Sequence, residues 1–125
     1  PGIRTRTFWG EKMLLGVVDL DANAILPAHS HPHEQITFVL EGELHVEIAG
    51  EKRSLHAGEL MVIPGGVEHS LVVGSRPARV IDVFSPTRED LKYCTWLLTA
   101  MQKSARRSQK RTFLFLYMSS WIRLP

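Results

Sequence analysis

Three histidines and an amide are packed into His29-Ser30-His31-Pro32-His33-Glu34-Gln35, and another histidine, His69, closes Pro64-Gly65-Gly66-Val67-Glu68-His69. Imidazole nitrogens with one amide oxygen suit a divalent transition ion such as Mn, Fe, Co, Ni or Zn, and donor type alone does not choose among them. Residues two apart on a β-strand share a face, so His29 and His31, with Gln35 on the same parity, are expected to present donors on one side of a sheet. His33 has that parity too, but Pro32 interrupts the strand, which predicts that it supports the ligands or sits at the rim and does not bind the ion directly. Four neutral donors would leave the double positive charge of an ion uncompensated, so the site should attract small anions.

The elements that must carry these residues read as short strands. Met13 to Leu20 is an apolar run closed by the turn Asp21-Ala22-Asn23, and Ile36 to Leu40 is another that stops at Glu41-Gly42. Leu44, Val46 and Ile48 alternate with His45, Glu47 and Ala49, the pattern of a strand with one buried face, which turns His45 to the surface. His56, beside Ala57-Gly58, reads as a surface residue as well. Hairpins are expected at Gly50-Glu51-Lys52 and at Gly74-Ser75-Arg76-Pro77, and six or seven strands emerge from the first ninety residues. Nine glycines and seven prolines punctuate them, in a 125-residue chain of single-domain length. Regular short strands without an amphipathic helix between them predict an all-β barrel or jelly roll.

Two blocks of this sequence resemble the paired motifs of the cupin superfamily. HSHPHEQITFVLEG is similar to the first: two histidines one residue apart, three residues, an acidic or amide donor, six residues, then glycine. Gln35 stands where glutamate is usual. GELMVIPGGVEH is similar to the second, with glycine, proline, glycine and histidine at the family's intervals; Val73 replaces the asparagine that often follows. The resemblance covers about residues 12 to 90 and implies a small cupin barrel, a double-stranded β-helix of jelly-roll type, with metal ligands His29, His31, Gln35 and His69.

Asp82 and Phe84 share one face of the last strand, and Arg88 follows a proline-containing turn in DVFSPTRED. An aspartate turned into an apolar interior needs a partner or a task. It can transfer protons, with Phe84 walling the substrate and Arg88 forking onto a carboxylate, or it can form an ion pair with Arg88 that closes the barrel. HSHPHEQ together with DVFSPTRED is similar to the small cupins of pectin and alginate degradation that linearise unsaturated uronates. That resemblance implies conversion of a cyclic 4,5-unsaturated uronate to its open-chain keto form, with Asp82, Phe84 and Arg88 in the active site.

Charge divides the chain. Residues 1 to 90 carry eight basic and thirteen acidic side chains, whereas residues 91 to 125 carry seven basic and none acidic. The overall +2 therefore belongs to the tail and is no argument for nucleic-acid binding. A cupin domain is expected over residues 1–90. The tail, 91–125, offers a possible helix from Leu91 to Met101, a basic stretch, and an apolar run from Thr112 to Ile122 that is too short to span a bilayer. It is compatible with a helix packed on the barrel, with a basic segment that touches a membrane or nucleic acid, or with an out-of-frame translation. The lone Cys94 excludes an internal disulfide and no leader pattern opens the chain, so a cytoplasmic location is expected, although the chain begins at Pro1 and a removed leader stays open. Apolar residues on both parities of Ile36 to Leu40 predict a covered outer face, and hence a homodimer. Besides the uronate reaction, an iron-dependent dioxygenase and a non-catalytic binder of a small anionic metabolite fit the same donor set.

Overall fold

The computed structural model describes residues 2–92. The expectations for the tail beyond them, and Cys94, lie outside the described residues. Nine strands follow in order: β1 (Ile3–Trp9), β2 (Leu14–Leu20), β3 (Ile25–His29), β4 (Glu34–Glu41), β5 (Glu43–Ile48), β6 (Glu51–His56), β7 (Leu60–Ile63), β8 (His69–Val73) and β9 (Ala78–Ser85). They form two antiparallel sheets, one ordered β1-β2-β9-β4-β7 and the other β3-β8-β5-β6, which is a jelly-roll sandwich. Glu89–Leu91 adds one 3-10 turn, and no helix among the described residues is long and apolar enough to cross a membrane.

Four details depart from the sequence reading. Nine strands stand where six or seven were expected. β1 was hidden because its inward positions include Thr5 and Thr7, so no apolar alternation marks it. The segment from His29 to Gln35 is not one strand: β3 ends at His29, residues 30–33 cross between the sheets, and β4 begins at Glu34. The first hairpin turns at Ala49-Gly50, whose φ values of 50° and 82° are those of a type I′ turn, one residue ahead of expectation. Gly74 to Pro77 is no hairpin either, because β8 and β9 belong to different sheets and the loop carries the chain from one to the other.

The core fills one part of the sandwich and adjoins a cavity, which Val18, Leu20, Val46 and Val80 help to line. Leu20, Val39, Leu44, Val73, Ala78 and Val80 pack one end, each at most 5% exposed. Burying a side chain of this size contributes about 1.5–3 kcal/mol. Gly42, at φ +85°, makes the β4–β5 turn against Ala78, where a Cβ would collide with the neighbouring backbone. At the other end of β4 and β9 the inward side chains become Gln35, Thr37, Asp82 and Phe84, and a cavity opens between the sheets.

Candidate metal centre

His29 and His69 face each other as a registered pair on the adjacent strands β3 and β8, with ring centroids 4.3 Å apart. His31 arrives from the crossing loop, its ring 5.9 Å from that of His29 and 5.0 Å from that of His69. Nitrogens of the three rings lie within 4.8 Å of one another. Gln35 comes from the other sheet and sets Oε1 3.0 Å from His31 Nε2. The expectation that one strand face presents His29, His31 and Gln35 is therefore wrong in its geometry: the chain changes sheets between them, and convergence comes from the sandwich closing on itself.

The ring tautomers follow from the backbone. His29 Nδ1 donates to the Pro27 carbonyl, His69 Nδ1 to the Val67 carbonyl and His31 Nδ1 to the His33 carbonyl, at 2.9, 2.9 and 3.0 Å. A carbonyl only accepts, so each Nδ1 carries the proton and each Nε2 of a neutral ring is left with a lone pair. Nε2 of His69 is buried without a hydrogen-bond partner, and Nε2 of His31 points its lone pair at an amide oxygen that is also an acceptor. A cluster of acceptors with no proton between them fits a cation, and backbone carbonyls on the far nitrogens are the usual way of orienting imidazole ligands. Burial holds His31 and His69 below the ordinary imidazole pKa, which keeps the rings in the neutral form that binds metal.

Gly65 makes the assembly possible. A Cβ there would overlap the Pro32 carbonyl oxygen, and the neighbouring Gly66 N–H donates to the His31 carbonyl at 2.7 Å. The loop before His69 thus lies directly on the loop that holds His31. His33 supports His31 through its carbonyl, and its own ring lies 5.8 Å from that of His31, tilted by 54°. His45 and His56 are exposed and remote, as expected.

Asp82, Phe84 and Arg88 line the same cavity, of about 320 Å³, as His29, Gln35 and His69. Phe84 packs edge-on against His31 at 5.6 Å, and the Arg88 guanidinium sits 5.1 Å above the Phe84 ring. Asp82 is half-buried, and desolvation pushes its pKa upward against the hydrogen bonds and the Arg88 charge that lower it. The barrel-closing ion pair weighed for Asp82 and Arg88 is not formed. Arg88 instead forks onto Asp90, with Nε–Oδ1 at 3.2 Å and a second contact at 2.6 Å, and holds the Asp90 carboxyl below the usual range.

Three threonines went unnoticed in the sequence. Thr37 bridges Gln35 and Asp82, while Thr7 donates to the Leu91 carbonyl and Thr87 to the Gly10 carbonyl, tying the Arg88 segment to the sandwich. Only the inward parity of Thr37, two residues after Gln35, was there to be read.

A model of the cupin domain matches residues 16–84. The chain is a cupin. Pectin degradation protein KdgF of Dickeya dadantii is 34% identical to this cupin over 83 residues, 66% of this chain and 76% of that protein. Among solved structures, KdgF from a Halomonas species has 35% identity and a TM-score of 0.70, covering 73% of this chain and 84% of its own. An RmlC-like cupin from Shewanella frigidimarina has 32% identity and a TM-score of 0.68, covering 71% and 80%.

Proposed function

We propose that this cupin binds one divalent transition ion through His29, His31, Gln35 and His69 and converts a cyclic 4,5-unsaturated uronate to its linear keto form. The observation that carries the reading is one cavity that joins an all-acceptor cluster to a half-buried carboxyl and an arginine. Its likeness to a protein named for pectin degradation supports a substrate of that class. The bound ion supplies positive charge for substrate oxygens. Arg88 holds the uronate carboxylate and Phe84 walls the ring. Asp82 moves the proton: one leaves the anomeric hydroxyl, the C1–O5 bond breaks, and one arrives at C4 as the enol becomes a ketone. Atoms balance without a co-reactant. The raised pKa of Asp82 suits a group that must both take and return a proton.

The ultraviolet absorbance of a 4,5-unsaturated uronate, followed with metal-loaded protein in air and under argon, tests this. Equal loss of absorbance in both, abolished in Asp82→Asn, supports the reading. Turnover only in air would move the assignment to a dioxygenase, and tight binding without turnover to a metabolite-binding protein.

The reading includes a homodimer. The outer face of the five-stranded sheet carries a registered row, Phe8–Leu15–Val83–Ile36–Val62, that is apolar across all five strands, with Val17, Ile81, Phe38 and Leu60 beside it. Phe8, Ile36, Leu60 and Val62 are 39–59% exposed. A flat apolar face of this breadth is the kind that a second copy of the chain covers.

A further inference from the structure

An amide ligand poses a problem that a carboxylate does not. Either end of the Gln35 side chain can face the ion, but only the oxygen can bind it, and the NH2 group facing inward would repel it. Something must decide which end points where.

Thr37 stands in the position to do so. Gln35 and Thr37 are both inward on β4, two residues apart, and Thr37 is in register with Asp82 on β9. The Thr37 hydroxyl lies 2.5 Å from Asp82 Oδ1 and 2.9 Å from Gln35 Nε2, and its side chain is almost completely buried. A hydroxyl has one proton. Donated to the carboxylate, it leaves only lone pairs toward Gln35, so the NH2 end is the end that is attracted and Oε1 is turned toward His31 Nε2, 3.0 Å away. The same donated proton aims the Asp82 carboxyl.

We propose that Thr37 is a positioning residue that selects the metal-binding face of the Gln35 amide and couples it to the orientation of Asp82. This rests on the reading of Gln35 as a ligand. A valine at this position keeps the shape but has neither donor nor acceptor, whereas serine keeps both.

The test is titration of the metal-free full chain with Co²⁺, followed by calorimetry and by the visible d–d spectrum of the bound ion. The variants are Thr37→Val, Thr37→Ser, Gln35→Ala and the Gln35→Ala/Thr37→Val pair. Loss of an orienting partner typically costs about 10- to 100-fold in metal affinity. Thr37→Val should weaken Co²⁺ by that factor and shift its spectrum toward that of Gln35→Ala, and Thr37→Ser should restore both. In the Gln35→Ala background the valine should have no further effect, because its action runs through the amide. Equal weakening in both backgrounds, no weakening, or failure of serine to rescue would each overturn the proposal. Unchanged Co²⁺ binding in Gln35→Ala alone would instead remove Gln35 from the ligand set and take the proposal with it.

Discussion

Gly65→Ala tests whether the two cupin motifs must touch for the site to exist. The new Cβ would fall well inside the 3.0 Å limit from the Pro32 carbonyl oxygen, so the two loops must move apart. Backbone, and not a flexible side chain, is in the way. The Gly66 N–H to His31 carbonyl bond of 2.7 Å lies in the path of that movement. Weakening it costs about 1 kcal/mol, which a sandwich of nine strands tolerates. The effect on metal is larger, because ligand distances must hold within about 0.2 Å and His31 rides on the displaced loop. Gly65→Ala should therefore fold, melt only a few degrees below wild type in the presence of chelator, and bind Co²⁺ at least tenfold more weakly in calorimetric titration. Gly10→Ala, where a Cβ meets nothing within 4 Å, is the matched control. Wild-type Co²⁺ affinity in Gly65→Ala would refute the contact between the loops as the constraint on His31.

Asp82→Asn should lose uronate turnover yet raise the melting temperature of metal-free protein at pH 8. Burial raises the Asp82 pKa, so the fold holds that proton above pH 4, where the unfolded chain has released it; stability falls as pH rises through this window, and the variant's advantage should vanish near pH 3. His31 and His69 act in the opposite direction. Their lowered values mean that the unfolded chain binds more protons below about pH 6.5, so metal-free protein should lose stability as pH falls from 7 to 5, and a flat melting profile in chelator would contradict this. Asp90→Asn should lower KM for a uronate by freeing the Arg88 fork, while Arg88→Gln should raise it by about tenfold or more, the worth of a charge-assisted pair; unchanged KM in both would remove Arg88 from substrate binding. Ile36→Glu places a charge in the middle of the apolar outer row and should convert a dimer to a monomer in analytical ultracentrifugation, whereas a wild-type monomer would end the dimer reading.

Much of the site was legible because its chemistry is local in sequence. His29, His31 and Gln35 announce themselves by donor type, and the proline and glycines before His69 mark a loop that must turn sharply. The alternation in β5 and the apolar runs of β2 and β4 carry their strands openly. Pairing was not legible: that β8 and β9 part company at Gly74, or that the chain changes sheets after His29, depends on which edges find each other across the sandwich. An ion pair with Asp82 was one of two roles open to Arg88, and the guanidinium pairs with Asp90 instead, two residues away, since a nearby carboxylate reaches it at less conformational cost than one across a cavity. Thr37 was invisible for a simpler reason: a threonine on a strand looks like any β-branched residue until its neighbours are known.

The division of donors between sheets has a mechanical consequence. His29 and His69 belong to the four-stranded sheet and Gln35 to the five-stranded one. Backbone ladders run within each sheet and never between them, and side-chain packing joins the two. An ion shared by these side chains would fasten the open mouth of the sandwich as a rivet fastens two plates. Hydrogen exchange should then report the rivet selectively: amides of β3, β8 and the first residues of β4 slow on metal addition, while those of β6 keep their rates.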